Sequence, residues 1–112
     1  MIDNYFKSAE KAIADVQKEF DSYQRDWFPS RSPEFFCLEL NGEAGELANL
    51  EKKSWKGKTI DYDNFADEAA DVLIALMNYS NARGVDLSRA VMDKLRRIDA
   101  KRKELNANGM EY

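Results

Sequence analysis

Two short pairs of carboxylate residues have the types and spacing that metal chemistry requires. Glu43 and Glu46 form the first pair, and Glu68 and Asp71 form the second. Residues three apart share one face of a helix, so each pair would present its carboxylates in a single direction. Carboxylate oxygens are ligands that Mg²⁺ prefers. If the two helices pack together, the pattern predicts divalent cations between acids that would otherwise repel one another.

The alternative for each pair is a solvated helix face with incidental acids, because exposed acids are common on helices. These acids are interspersed with apolar residues, namely Leu38, Leu40, Leu47, Val72, Leu73, Ile74 and Leu76. Such surroundings favour helices that are central to a bundle, where half-buried acids need partners. The spacing alone leaves metal binding and a solvated face open.

The composition narrows the function further. The 112 residues suit a single domain over 1–112, and the absence of histidine removes a required residue from zinc hydrolases and from Ser-His and Cys-His nucleophile systems. A net charge of −4 argues against a general nucleic-acid binder. Cys37, the single cysteine, fits a reducing compartment. The start of the chain does not resemble a signal peptide and no apolar run reaches membrane-spanning length, so we expect a soluble cytoplasmic protein.

The hydrophobic pattern predicts an all-α fold with four helices. Apolar residues spaced alternately three and four positions apart indicate a first helix over about residues 5–25, which ends before Pro29. Ser32 and Pro33 read as an N-cap and a proline at the first helical position. The second helix then continues to about Lys53.

Capping residues also place the last two helices. Asp61 or Asp63 can begin the third helix, and Gly84 is placed to end it in a left-handed conformation. Asp86 can begin the fourth helix. We expect the tail after about Leu105 to be loose.

Polar residues beside the acidic pairs are candidates for substrate contacts. Lys53 and Lys56, in the connection after the second helix, are suited to hold polyphosphate oxygens, although a cationic helix C-terminus also complements the helix dipole. Asn78 shares a helix face with Glu68 and Asp71, and it can either reach a sugar or base edge or be a tolerated polar residue.

Two segments of the sequence resemble the MazG-like all-α nucleoside triphosphate pyrophosphatases. They are Asn41-Gly42-Glu43-Ala44-Gly45-Glu46-Leu47-Ala48 and Asp67-Glu68-Ala69-Ala70-Asp71-Val72-Leu73-Ile74. The deoxycytidine triphosphate pyrophosphatase branch looks most similar, because Arg25-Asp26-Trp27 precedes the first segment at the distance typical of that branch. Val85-Asp86-Leu87 also follows the family pattern, and the resemblance runs from about residue 25 to 94.

The resemblance implies a four-helix MazG-like bundle that is completed by dimerisation, as a homodimer or a dimer of dimers. It also implies cleavage of a (deoxy)nucleoside triphosphate to monophosphate and pyrophosphate, with Mg²⁺ as the cofactor and Mn²⁺ as a substitute. Glu43, Glu46, Glu68 and Asp71 match the family's metal ligands. Glu43 or Glu46 would additionally orient or deprotonate the water that attacks the α-phosphate.

The same resemblance assigns substrate contacts outside the acidic pairs. Trp27 matches an aromatic that lines the nucleobase pocket, with a packing aromatic as the alternative, and Arg31 lies in the same loop. Lys94 on the fourth helix is matched to a phosphate contact. The sequence departs from the family at Ala75, where a tyrosine is common, and after Lys94, where an asparagine is often found.

Other hydrolase classes fit the sequence less well. A Nudix hydrolase needs a different glutamate motif on a strand-rich fold, a His-Asp phosphohydrolase needs histidine, and a P-loop NTPase needs a phosphate-binding motif that does not occur here. The remaining alternative is a non-catalytic helical module that binds nucleotides or a protein. A pure scaffold has no reason to keep a costly acidic cluster.

Overall fold

A computed structural model describes residues 2–112, and within them it contains five helices and no strand. The helices are α1 (Ile2–Tyr5), α2 (Ala9–Trp27), α3 (Pro33–Trp55), α4 (Tyr62–Arg83) and α5 (Leu87–Ala107). The predicted all-α fold class is confirmed. None of these helices combines the length and the apolar composition that crossing a membrane requires.

The first helix was predicted from about residue 5, and this start is wrong. The chain forms the short α1 and interrupts it at residues 6–8 before α2 begins. The amide of Ala9 donates a hydrogen bond to the carbonyl of Phe6 at 3.2 Å, and the amide of Ala12 donates one to the carbonyl of Ser8 at 3.1 Å. Serine favours a helix N-terminus over a helix interior, which accounts for the restart directly after Ser8.

Residues 2–19 and 85–112 form one compact unit, and residues 20–84 form another. In the first unit, the guanidinium of Arg96 pairs with Asp3 at 2.9 Å and joins α1 to α5. The Gln17 side chain of α2 donates to the carbonyl of Val85 at 2.7 Å and accepts from the amide of Leu87 at 2.9 Å. The single domain over residues 1–112 stays a prediction.

The second unit is built on the packing of α3 against α4. The Ser32 hydroxyl accepts from the amide of Phe35 at 3.3 Å, so the predicted N-cap of α3 is confirmed. Glu34 at the start of α3 pairs with Arg83 at the end of α4 at 3.5 Å, so the two helices run antiparallel. Gly84 ends α4 with a φ of 78°, as predicted, because glycine adopts this conformation without a Cβ clash.

The buried and exposed faces of α3 and α4 differ from the expectation for central helices. Phe36 and Ala75 are buried. Leu38, Leu73 and Ile74 beside the acidic residues are instead 74%, 54% and 41% exposed. In the single chain the two helices are therefore less enclosed than the sequence predicted, because each helix turns only part of its apolar surface into this unit.

Candidate metal centre

Three glutamates from two helices meet between α3 and α4. Glu43 and Glu46 project from α3 and Glu68 projects from α4, and one carboxylate oxygen of each lies within 4.8 Å of the others. Glu43 and Glu68 are half-buried, whereas Glu46 is exposed. The antiparallel packing therefore brings together acids that lie more than twenty residues apart in the sequence.

The buried oxygens of this cluster lack hydrogen-bond partners. The Oε2 atoms of Glu43 and Glu68 are buried, and within residues 2–112 neither finds a hydrogen-bond partner. Burial, and then the neighbouring Glu46 and Glu43 carboxylates, raises the pKa of Glu68 to about 7. Burial also raises the pKa of Glu43, and repulsion from Glu46 and Asp71 acts in the same direction. The cluster therefore concentrates negative charge where water cannot fully solvate it.

A second group of carboxylates continues from the first along α4. Oxygens of Asp67, Glu68 and Asp71 also lie within 4.8 Å of one another, so Glu68 belongs to both groups. Asp71 is half-buried and Asp67 is exposed. Asp67 was not among the ligands predicted from the sequence. Its position four residues before Asp71 places the two on one helix face, and this spacing was the available signal.

The donor set fits a hard divalent cation. All candidate ligand atoms are carboxylate oxygens, which suit Mg²⁺ and Mn²⁺ better than softer metals. A cation would satisfy the buried oxygens of Glu43 and Glu68 and reduce the repulsion within the cluster. The ligand roles of Glu43, Glu46, Glu68 and Asp71 stay predictions that this geometry supports.

The predicted phosphate-binding lysines lie at the end of α3. Lys53 is in its last turn, two helical turns beyond Glu46, and Lys56 directly follows the helix. Both side chains are exposed, and neither takes part in an ion pair with residues 2–112. They are available to an anionic ligand, and their roles stay predictions.

The remaining predicted substrate contacts lie on three helices and one loop. Trp27 is the last residue of α2 and is 76% exposed. Arg31 lies in the loop before α3, with its guanidinium carbon 5.0 Å from the centre of the Phe35 ring. Asn78 is buried on α4, two turns beyond Asp71. Lys94 is exposed on α5, in the unit of residues 2–19 and 85–112. The roles of these four residues stay predictions.

The sequence is similar to that of an enzyme with a known activity. It is 33% identical over 100 residues to dCTP pyrophosphatase 1 of Rattus norvegicus, and the match covers 79% of this chain. The chain spans only 57% of the length of that relative. No family model and no solved structure matches the chain. The similarity and the all-helical structure fit the resemblance of the two carboxylate segments to the MazG-like all-α nucleoside triphosphate pyrophosphatases.

Proposed function

We propose that the protein is a metal-dependent nucleoside triphosphate pyrophosphohydrolase. It would cleave a (deoxy)nucleoside triphosphate to the monophosphate and pyrophosphate. The observation that carries this proposal is the meeting of Glu43, Glu46 and Glu68, with two buried oxygens that lack partners, in a chain similar to a dCTP pyrophosphatase. The name of that relative makes dCTP the first substrate to test.

The four predicted ligands would hold Mg²⁺, or Mn²⁺ in its place. Glu43 and Glu46 approach from α3, and Glu68 and Asp71 approach from α4. When bound, the cation would polarise the α-phosphate and favour ionisation of the attacking water. Without a cation, a triphosphate would meet a cluster of like charge, so binding as well as chemistry would depend on the metal.

The side chains of the site would divide the remaining work. Glu43 or Glu46 would orient the attacking water and accept its proton, since a carboxylate within hydrogen-bond reach can act as a general base. Lys53 and Lys56 would stabilise the departing pyrophosphate through charge-assisted hydrogen bonds. Trp27, the predicted nucleobase contact, offers an exposed ring on which a base can stack.

We also propose that the protein acts as a homodimer or a dimer of dimers. Leu38, Leu73 and Ile74 lie beside the acidic residues in the sequence and are exposed in the single chain. Removing apolar side chains of this size from water by covering them with a second surface lowers the free energy. A second copy that covers them would also exclude water from the neighbourhood of the carboxylates.

A panel of ribo- and deoxyribonucleoside triphosphates tests the proposed reaction. Each is incubated with the full chain and Mg²⁺, and the products are separated by chromatography. Monophosphate with pyrophosphate is the expected outcome, and the rank order identifies the preferred nucleotide. Diphosphate with phosphate would indicate a different hydrolase. Binding without turnover across the panel would favour the non-catalytic nucleotide-binding module.

A further inference from the structure

Two asparagines of the chain directly precede a glycine, and this dipeptide is chemically reactive. They are Asn41, followed by Gly42, and Asn108, followed by Gly109. In such a pair, the backbone nitrogen of the glycine can attack the side-chain carbonyl of the asparagine and close a succinimide ring. Glycine favours this approach because it has no Cβ and adopts backbone conformations that other residues disfavour. Local structure then determines how readily each pair reacts.

The first pair lies well inside α3, where the backbone hydrogen bonds oppose ring closure. Asn41 is preceded and followed by at least two turns of this helix, which runs from Pro33 to Trp55. Inside an α-helix each N–H donates to the carbonyl four residues earlier, so the nitrogen of Gly42 is bonded within the helix. Closing the ring would interrupt the helix that packs against α4. A helix interior of this kind opens only together with much of its unit.

The second pair lies where the chain leaves α5. This helix ends at Ala107, and Asn108 and Gly109 are the two residues that follow it. Gly109 has a φ of 72°, the left-handed conformation with which many helices end. Asn41 and Asn108 are both exposed, so the accessibility of the asparagine to water does not distinguish the two pairs. Their positions relative to the helices do.

The hydrogen bonds that hold Gly109 are those of a helix end. Its amide donates to the carbonyl of Asn106 at 3.0 Å, and the amide of Met110 donates to the carbonyl of Leu105 at 2.8 Å. Together these two bonds form a Schellman motif. Bonds at an exposed helix end open without unfolding the rest of the helix. The nitrogen of Gly109 is therefore released more often than a backbone nitrogen inside α3.

We propose that Asn108 is a site of spontaneous deamidation and that α3 protects Asn41 from the same reaction. The Gly109 nitrogen loses its proton to solvent and bonds to Cγ of Asn108. The bond between Cγ and Nδ2 then breaks, and the nitrogen leaves as ammonia after taking a proton from solvent. One water molecule opens the succinimide at either carbonyl and gives aspartate or isoaspartate. The net change is the exchange of ammonia for water, so the reaction needs no enzyme and no oxidant.

The reaction changes the end of α5. The Asn108 side chain donates to the carbonyl of Glu104 at 3.1 Å, and a carboxylate cannot donate this hydrogen bond. The product also carries a negative charge beside a helix C-terminus, where the helix dipole disfavours it. Deamidation of Asn108 therefore loosens the last turn of α5. The same reaction at Asn41 would interrupt α3 two residues before Glu43, so the helix also protects the carboxylate cluster.

Peptide mapping of the full chain after prolonged incubation tests the proposal. The folded protein is held at mildly alkaline pH, and samples taken at intervals are digested with trypsin and analysed by mass spectrometry. Trypsin cuts after Arg31, Lys52 and Lys103, so Asn41 and Asn108 fall in different fragments. Deamidation is recognised by the mass gained when an amide becomes a carboxylic acid. A sample digested without incubation corrects for reaction during the digestion.

Asn108 is expected to deamidate at least about tenfold faster than Asn41 in the folded chain, because only the helix end opens readily. Asn106 lies in the same fragment as Asn108 but precedes Ala107, so it is the internal control and should stay unmodified. Equal rates at Asn41 and Asn108, or a faster reaction at Asn41, would overturn the proposal. So would a folded chain in which Asn108 does not react at all.

Two further samples assign the difference to the structure. In a chain unfolded with guanidinium chloride, Asn41 and Asn108 should react at similar rates, because neither glycine nitrogen is then held in a helix. A tenfold difference that persists in the unfolded chain would contradict protection by α3. Asn108→Gln should abolish the modification of the fragment after Lys103, because glutamine would have to close a larger ring. Modification that continues in this variant would exclude Asn108 as the site.

Discussion

Glu68 is a half-buried carboxylate whose pKa is raised by burial and by neighbouring acids. It shares one group of carboxylates with Glu43 and Glu46 and another with Asp67 and Asp71. Its pKa of about 7 means that the carboxyl is partly protonated at neutral pH in the absence of a cation. A divalent cation would displace that proton, so metal binding and protonation of the cluster are coupled.

Removing one charge from this cluster should abolish most of the activity. Glu68→Gln and Asp71→Asn keep the size of the side chain but remove an anionic ligand. Each is expected to lower the rate of triphosphate hydrolysis by at least ~10²-fold, as the loss of a group that stabilises transition-state charge does. Steady-state rates at saturating Mg²⁺, with circular dichroism to verify the fold, measure this effect.

The matched control is Glu51→Gln, which alters an exposed glutamate on the same helix as Glu43. It should retain the activity of the unaltered chain. Full activity in either Glu68→Gln or Asp71→Asn would exclude that residue as a metal ligand.

The raised pKa of Glu68 predicts how stability depends on pH without metal. Its pKa lies above the ordinary value of 4.5, so protonation favours the folded state. The contribution of protonated Glu68 to the free energy of unfolding is complete below about pH 4.5, and it is lost as the pH rises through about 7. Acids with lowered pKa values, such as Asp86 and Asp99, complete their ionisation below this interval.

Thermal unfolding in chelator measures this dependence. The Tm should fall between about pH 5 and about pH 8, and Glu68→Gln should make the fall smaller. Mg²⁺ should raise the Tm most at the upper end of this range, because it binds the ionised cluster. An identical pH profile for Glu68→Gln and the unaltered chain would contradict the role of Glu68.

At the scale of helices, capping residues made most boundaries predictable. Ser32, Gly84 and Asp86 each act at the helix end where the sequence placed them. The break at residues 6–8 was missed because the apolar stripe continues on both sides of Ser8, and periodicity does not register a single capping residue. Local chemistry sets helix ends, whereas the apolar pattern sets only which face is buried.

The Gln17 side chain should contribute to stability through contacts with residues far away in the sequence, which the helical pattern around Gln17 does not indicate. Its amide bonds to both the carbonyl of Val85 and the amide of Leu87, and it is buried. Gln17→Leu would leave these backbone groups without partners and should lower the free energy of unfolding by about 1–3 kcal/mol. Denaturant unfolding measures the change.

An exposed ion pair provides the comparison for Gln17. Lys11 and Asp15 are in contact at 2.6 Å but are largely exposed. Lys11→Ala should change the free energy of unfolding by less than about 1 kcal/mol. An equal cost for the Gln17 and Lys11 variants would show that the two backbone contacts of Gln17 add little.

At the scale of the whole molecule, the sequence predicted the acidic pairs but not the surface around them. The proximity of Glu43 and Glu68 could be predicted because the sequence shows both the spacing within each carboxylate pair and the two helices that carry the pairs. The exposure of Leu38, Leu73 and Ile74 was not predicted, because an apolar pattern does not say whether the covering surface belongs to the same chain.

The proposed dimer predicts a specific effect of these exposed residues. Leu73→Glu places a charge where a second copy would exclude water, so it should raise the dimer dissociation constant at least about tenfold. Sedimentation velocity over a range of protein concentrations measures this shift. Met110→Glu, at an exposed position outside the helices, is the control and should associate normally. A monomeric unaltered chain, or a Leu73→Glu variant that associates normally, would contradict the proposed surface.

In the proposed reaction, a water molecule attacks the α-phosphate at the carboxylate cluster, where a divalent cation would be bound. Hydrolysis of dCTP, or of the best substrate in the panel, in ¹⁸O-labelled water with Mg²⁺ tests it most directly. We expect mass spectrometry to find the label in the monophosphate alone, and to find no products when chelator replaces Mg²⁺. Label in the pyrophosphate, or turnover that persists in chelator, would contradict it.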